Sequence, residues 1–108
     1  MPKNEMSPAQ AARVAKISRA PIEMTPVASS QIAAIGHNRE TNTLAIKFAA
    51  RDDEEVGGTY HYSGVDSDLF AAFRSAESIG SFFHKNIRPN TEEFPYVCVE
   101  GAVKKAAA

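Results

Sequence analysis

Cysteine is nearly missing from this chain of 108 residues, where Cys98 stands alone. A single thiol cannot close an intramolecular disulfide, so the fold has to rest on an apolar core. Long apolar runs are missing too, and nothing approaches the ~18 consecutive residues that read as a membrane span. The opening residues do not run from charged to greasy, so no secretory signal is expected. Together these absences point to the cytoplasm. A surplus of positive charge is also lacking, since 12 Lys and Arg stand against 13 Asp and Glu. Residues 1–28 hold four basic and two acidic residues, and the remaining eight basic and eleven acidic ones leave the rest mildly acidic. Nucleic-acid binders usually carry a basic stripe, because phosphate contacts supply much of their affinity. That footprint is weak here.

What is present suits one domain. An apolar content of 44% is ordinary for a globular protein and allows a modest core. Residues 1–26 read as a flexible tail, punctuated by Pro2, Pro8, Pro21 and Pro26. Ala9–Ala20 has helix-forming residues but only Val14 and Ile17 as an apolar stripe, which is marginal for an isolated helix. The same segment can be read as a basic arm that orders on a partner.

Residues 27–100 read as the domain. Thr43–Phe48 alternates most cleanly, with Leu44, Ile46 and Phe48 on one face and Thr43, Ala45 and Lys47 on the other. Ile32 and Ile35 are three apart, so burying both requires a bulge or a late strand start. Residues 51–58 read as a solvated acidic loop ending in Gly57–Gly58, a pair suited to positive φ. A third strand, Thr59–Ser63, puts Tyr60 and Tyr62 on one face and His61 on the other. Asp66 or Ser67 can cap a helix over residues 68–77, whose core face is Leu69, Phe70, Phe73 and Ala76. Ser78 can cap a second helix that buries Ile79, Phe82, Phe83 and Ile87 and stops at Pro89 and Asn90. Phe94–Glu100 alternates again and reads as an edge strand, with Tyr96, Cys98 and Glu100 facing away from Val97 and Val99. Residues 101–108 read as a loose C-terminal tail. The expected class is α+β: a small antiparallel sheet, made of a three-stranded meander and a C-terminal edge strand, packed against two short helices.

Three pieces of this pattern carry a family resemblance. They are Ser29-Ser30-x-Ile32-x-x-Ile35-Gly36, the triplet Tyr60-His61-Tyr62, and Ser78-x-Gly80-x-Phe82-Phe83-x-x-x-Ile87-Arg88. Their order and spacing resemble the KTSC domain, a short module found at the C-terminus of some lysyl-tRNA synthetases and alone in bacterial and phage proteins. The resemblance covers about residues 27–88 and implies a small antiparallel sheet followed by two helices. It also implies RNA binding, through the association with a tRNA synthetase. Some positions depart from the family pattern. His37 stands where a tyrosine is usual, His61 and Ile79 where a basic residue is frequent, and Val65-Asp66 where Val-Pro is frequent.

The leading expectation is a non-enzymatic accessory module that binds RNA or single-stranded nucleic acid, with no cofactor. Its candidate binding residues are Tyr60, His61, Tyr62, Lys85 and Arg88. Tyr60 and Tyr62 can serve as a stacking platform, at ~1–3 kcal/mol per base. The preferred expectation packs both rings beneath the helices, leaving Lys47, His61, Thr59 and Ser63 on an open polar face. His84 and Lys85 fit the dipole at a helix C-terminus, whereas Arg88 can fork onto a carboxylate or a phosphate. Ser78 and Gly80 are a candidate anion site at a helix start, with capping and close packing as the structural alternative. His37, His61, His84 and Cys98 lack the close spacing of a zinc site, and no local nucleophile–base motif is present. The alternative expectation is a protein-interaction module or small bacterial or phage regulator, gripping a partner protein through an edge strand, the acidic loop or the N-terminal arm.

Overall fold

A computed structural model describes residue 17 and residues 20–104. The cleanest alternation in the chain becomes the middle of a sheet. β1 (Thr25–Pro26), β2 (Ile32–Asn38), β3 (Thr43–Phe48), β5 (Thr59–Ser63) and β6 (Tyr96–Glu100) form five antiparallel strands in the order β1-β2-β3-β5-β6. A separate two-stranded ribbon pairs β4 (Glu54–Val56) with β7 (Val103–Lys104). The helices are α1 (Ser67–Arg74) and α2, which runs over Ile79–Phe82 and continues as a π-helical turn over Phe83–Ile87.

The register of β2 shifts between Ile32 and Ala34, and this irregularity lets both Ile32 and Ile35 enter the core. β2 returns into β3 through a turn in which Asn42 adopts a φ of 51°, a left-handed conformation that asparagine tolerates. Beyond β5, Gly64 has a φ of 83° and turns the chain toward α1. The Asp66 carboxylate caps α1 by accepting from the Leu69 amide at 2.8 Å. The helix ends at Arg74, three residues before the expected end: the Ser75 amide still donates to the Ala71 carbonyl, but that of Ala76 turns to Phe73, three residues back. The two helices cover one face of the sheet. Ile35, Leu44, Ile46, Tyr62, Val65, Phe73, Phe83, Ile87 and Phe94 close on one another there. Each such large side chain contributes roughly 1.5–3 kcal/mol by leaving water.

Several expectations need correction. The sheet has five strands, because Thr25 and Pro26, read from sequence as tail, pair with Ile35 and Ala34. The remainder of the N-terminal helical stripe lies outside the described residues, apart from Ile17, which is buried. The acidic loop is partly ordered as β4, and residues 103–104, read as loose, supply its partner strand. Lys104 clasps this ribbon with an ion pair to Asp53 at 2.9 Å. Gly57 is needed for close approach and not for positive φ, since a Cβ there would strike the Phe48 carbonyl. The open polar face is closed: Thr59 and His61 are buried, and Lys47 and Ser63 are half-buried. Small residues allow this. His61 lies between Ala45 and Val97 in the ladder, and the carbonyl of Glu23 sits directly on Gly36.

Candidate functional site

Strand alternation puts Tyr60 and Tyr62 on the helix-covered face, and pairing adds a third tyrosine. Tyr62 stands opposite Tyr96 of β6, and Tyr60 stands opposite Cys98. The Tyr96 ring lies 5.3 Å from that of Tyr62 and 6.0 Å from that of Tyr60. From the helix side, the Phe83 ring meets Tyr62 edge-on at 5.5 Å and Phe48 at 5.5 Å. Phe83 of α2 covers Tyr62, while Tyr96 on the edge strand stays exposed, so the aromatic floor is covered only in part. The result is an open cleft of about 910 Å³, floored by Phe48, Tyr60, Tyr62 and Tyr96 and walled by residues that include Arg51, His84 and Arg88. Exposure rises along the floor, from 6% at Tyr62 to 45% at Tyr96.

The helix wall is shaped by its π-helical turn. The Arg88 amide donates to the Phe83 carbonyl at 2.9 Å, and Pro89 then has no amide hydrogen to extend the ladder. Asn86 donates its side-chain amide to the Phe82 carbonyl, and Asn90 does the same to Asn86. Within this turn, Arg88 Nη1 donates to His84 Nδ1 at 3.1 Å. A guanidinium can only donate, so that imidazole nitrogen accepts and the ring is neutral with its proton on Nε2. Nε2–H in turn donates to Gln31 Oε1 at 2.6 Å. The Gln31 side chain also lies against Gly80, where a Cβ would stand 3.3 Å from Oε1. Gly80 therefore lets α2 approach the start of β2.

Charge in the cleft is mostly positive or neutral. Arg51, His84 and Arg88 are the basic residues of its lining. Glu54 is the acidic lining residue, and it is engaged. Its Oε1 accepts from the Arg51 amide at 2.9 Å, and its Oε2 faces Lys104 at 3.5 Å. Burial holds the Tyr62 phenol well above the usual tyrosine range, with nearby Tyr96 and Tyr60 adding to the effect and Arg88 opposing it. Burial raises Tyr60 as well, with the neighbouring Cys98 next in effect. Both hydroxyls therefore stay neutral, without a negative charge to repel an anion.

The structure unites some of the residues singled out from sequence and separates others. Tyr60, Tyr62 and Arg88 share the cleft. His61 does not join them, being 1% exposed on the opposite side of the sheet. Lys85 is exposed and lies outside the cleft lining. Ser78 is the cap of α2, its hydroxyl accepting from the Ser81 amide at 3.2 Å. Sequence reasoning did not connect Gln31, Arg51 or Tyr96 to the site. Tyr96 carried a readable signal, because its alternation matches that of Tyr60 and Tyr62. Gln31 carried none, since 53 residues separate it from His84. His37, in place of the family's usual tyrosine, has a packing role. Its Nε2–H donates to the Val65 carbonyl at 2.6 Å, and its ring stacks on Phe70 at 4.8 Å.

Among the described residues, no three His, Cys, Asp or Glu side chains are grouped to hold a metal ion. None of their helices is long and apolar enough to cross a membrane. No curated protein matches this chain. The KTSC domain family matches residues 28–90, a span that contains β2, β3, β5 and both helices. A KTSC domain protein from Yersinia pestis, known from its crystal structure, is 33% identical to it. That likeness covers 72% of this chain and 97% of the other, with a TM-score of 0.59. With the family pattern running through the sheet and helices that build the cleft, this chain belongs to the KTSC domain family.

Proposed function

We propose that this protein is a non-catalytic cytoplasmic module that takes a single strand of nucleic acid, RNA above all, into the tyrosine-floored cleft. The observation that carries this reading is the exposed Tyr96 ring placed with Arg51 and Arg88 around one open cleft. A base stacks on Tyr96, while the arginines meet the flanking phosphates. Tyr62 is too buried to stack a base and acts as the floor that holds Tyr96 in place. Only a few cations take part, which agrees with the acidic balance of residues 29–108. The expected consequence is modest affinity with a shallow salt dependence, a log–log slope of about −1.4 for two phosphates on a single strand.

The test is fluorescence anisotropy of a labelled random-sequence single-stranded RNA, titrated at low and moderate salt. Saturable binding with that slope is expected. Arg88→Ala should weaken it roughly tenfold and make the slope about 0.7 less steep. No binding at low salt, where electrostatic attraction is strongest, sinks the reading.

A second reading, as a protein-interaction module, is favoured by the position of β6, the last strand of the sheet. Its outer edge offers backbone donors and acceptors to an added strand. Binding of that kind would tolerate salt, and it would be lost when proline replaces an outward-facing amide of β6.

A further inference from the structure

We propose that His84 gates the cleft through its protonation state, keeping Arg88 engaged while neutral and releasing it to an anionic ligand when protonated. This rests on the nucleic-acid reading above and adds a regulation to the same site. In the neutral ring, Nδ1 occupies one guanidinium donor of Arg88. A phosphate entering the cleft must compete with that contact. A proton on Nδ1 removes the acceptor and sets two cations 3.1 Å apart, so the guanidinium swings away. The imidazolium itself stays at the wall, because Nε2–H still donates to Gln31 Oε1. Its new Nδ1–H then points into the space that Arg88 leaves, and the cleft gains both a free guanidinium and a second cation.

The surroundings support coupling to an anion. Arg88 lies one helical turn beyond His84, and Lys85 is the next residue along the chain. Behind the ring is Phe83, its centroid 5.4 Å away, and Gln31 is uncharged. Across the cleft stand Arg51, Glu54 and the phenols of Tyr60, Tyr62 and Tyr96. Glu54 is held by the Arg51 amide and faces Lys104, so it offers His84 little compensation. A phosphate brings a counter-charge to the imidazolium, and proton and ligand therefore bind cooperatively. Histidine is the side chain that ordinarily changes charge between about pH 5 and 8.

The test uses the full chain and a short labelled polyuridine, with anisotropy read at about pH 8 and about pH 5.5 and constant ionic strength. Binding should tighten roughly fivefold at the lower pH, the attraction of one unit charge for a phosphate about 4 Å away through water. His84→Asn should bind at the weaker level at both values, since the asparagine carbonyl can hold Arg88 without titrating. Equal wild-type binding at both values overturns the gate and leaves the nucleic-acid reading standing. Full pH dependence in His84→Asn also overturns it and assigns the titration elsewhere. No binding at either value removes both. A readout that needs no ligand comes from ¹⁵N NMR of the imidazole near pH 8, where the proton should sit on Nε2, and a proton on Nδ1 rejects the gate.

Discussion

Tyr62 and Tyr96 are the same residue type, on the same face of the sheet, paired directly across two strands, yet they occupy different physical worlds. Tyr62 lies under Phe83 and is 6% exposed, while Tyr96 lies on the edge strand and is 45% exposed. The first ring is part of the core and the second is available to a partner. What separates them is the step from an inner strand, covered by Phe83, to the edge strand. A tyrosine can therefore move from core to open surface by a step of one strand, about 4.8 Å, across a sheet.

The sharpest way to break this comparison is to truncate both rings. Tyr62→Ala should cost about 3–5 kcal/mol in urea denaturation, the range for removing a buried aromatic ring. Tyr96→Ala should cost under about 1 kcal/mol in the same measurement. Equal losses would mean that the exposed ring is structural after all. The phenols sharpen the contrast further. The folded state holds the Tyr62 hydroxyl protonated above its ordinary range, whereas the unfolded chain ionises near pH 10. The unfolded state thus binds fewer protons as pH rises beyond 10, and stability contributed by that neutral hydroxyl is lost at about 1.4 kcal/mol per pH unit. Tyr62→Phe should flatten this alkaline loss, seen as a smaller difference between denaturation midpoints on the two sides of pH 10.

Binding should divide the pair in the opposite sense. Tyr96→Ala should weaken single-stranded RNA by roughly 1–3 kcal/mol, the contribution of one stacked base, while far-ultraviolet circular dichroism stays unchanged. Unaltered affinity would remove Tyr96 from the interface and move attention to the edge of β6. The smallest effect belongs to the ribbon beside the cleft. Asp53 is held below the usual carboxylate range by its hydrogen bond to Lys104, so that contribution is present above the ordinary carboxylate pKa and lost as pH falls through the lowered one. Both side chains are mostly exposed, and water screens the pair. Asp53→Asn should leave the melting temperature nearly unchanged, with amide exchange faster only at residues 53–56 and 103–104.

Local pattern carried much of this architecture. The alternation of Leu44, Ile46 and Phe48, the helical spacing of Ile79, Phe82, Phe83 and Ile87, and the capping chemistry at Asp66 and Ser78 all appear in the structure. Their periods belong to single elements and need no distant partner. β1, β4 and β7 escaped notice because two or three residues carry no readable period, and their pairing is set by the strand beside them. His61 misled for a related reason. A histidine opposite two tyrosines reads as solvent-facing, but Ala45 and Val97 beside it, and the closure of that side of the sheet, bury it. The candidate site was legible only in part. Tyr60, Tyr62 and Arg88 were visible as residue types in a motif, whereas the Arg88–His84–Gln31 chain depends on bringing residue 31 to residue 84.

The class of fold, the core faces of the strands and helices, and the KTSC pattern are readable in the chain, because hydrophobic period and turn chemistry act within a few residues. Long-range packing sets which tyrosine is floor and which is rim, and that His84 holds Arg88 through an acceptor nitrogen. Those outcomes depend on the pairing of β5 with β6 and on Gln31 meeting His84 across 53 residues of chain, and no local pattern encodes either.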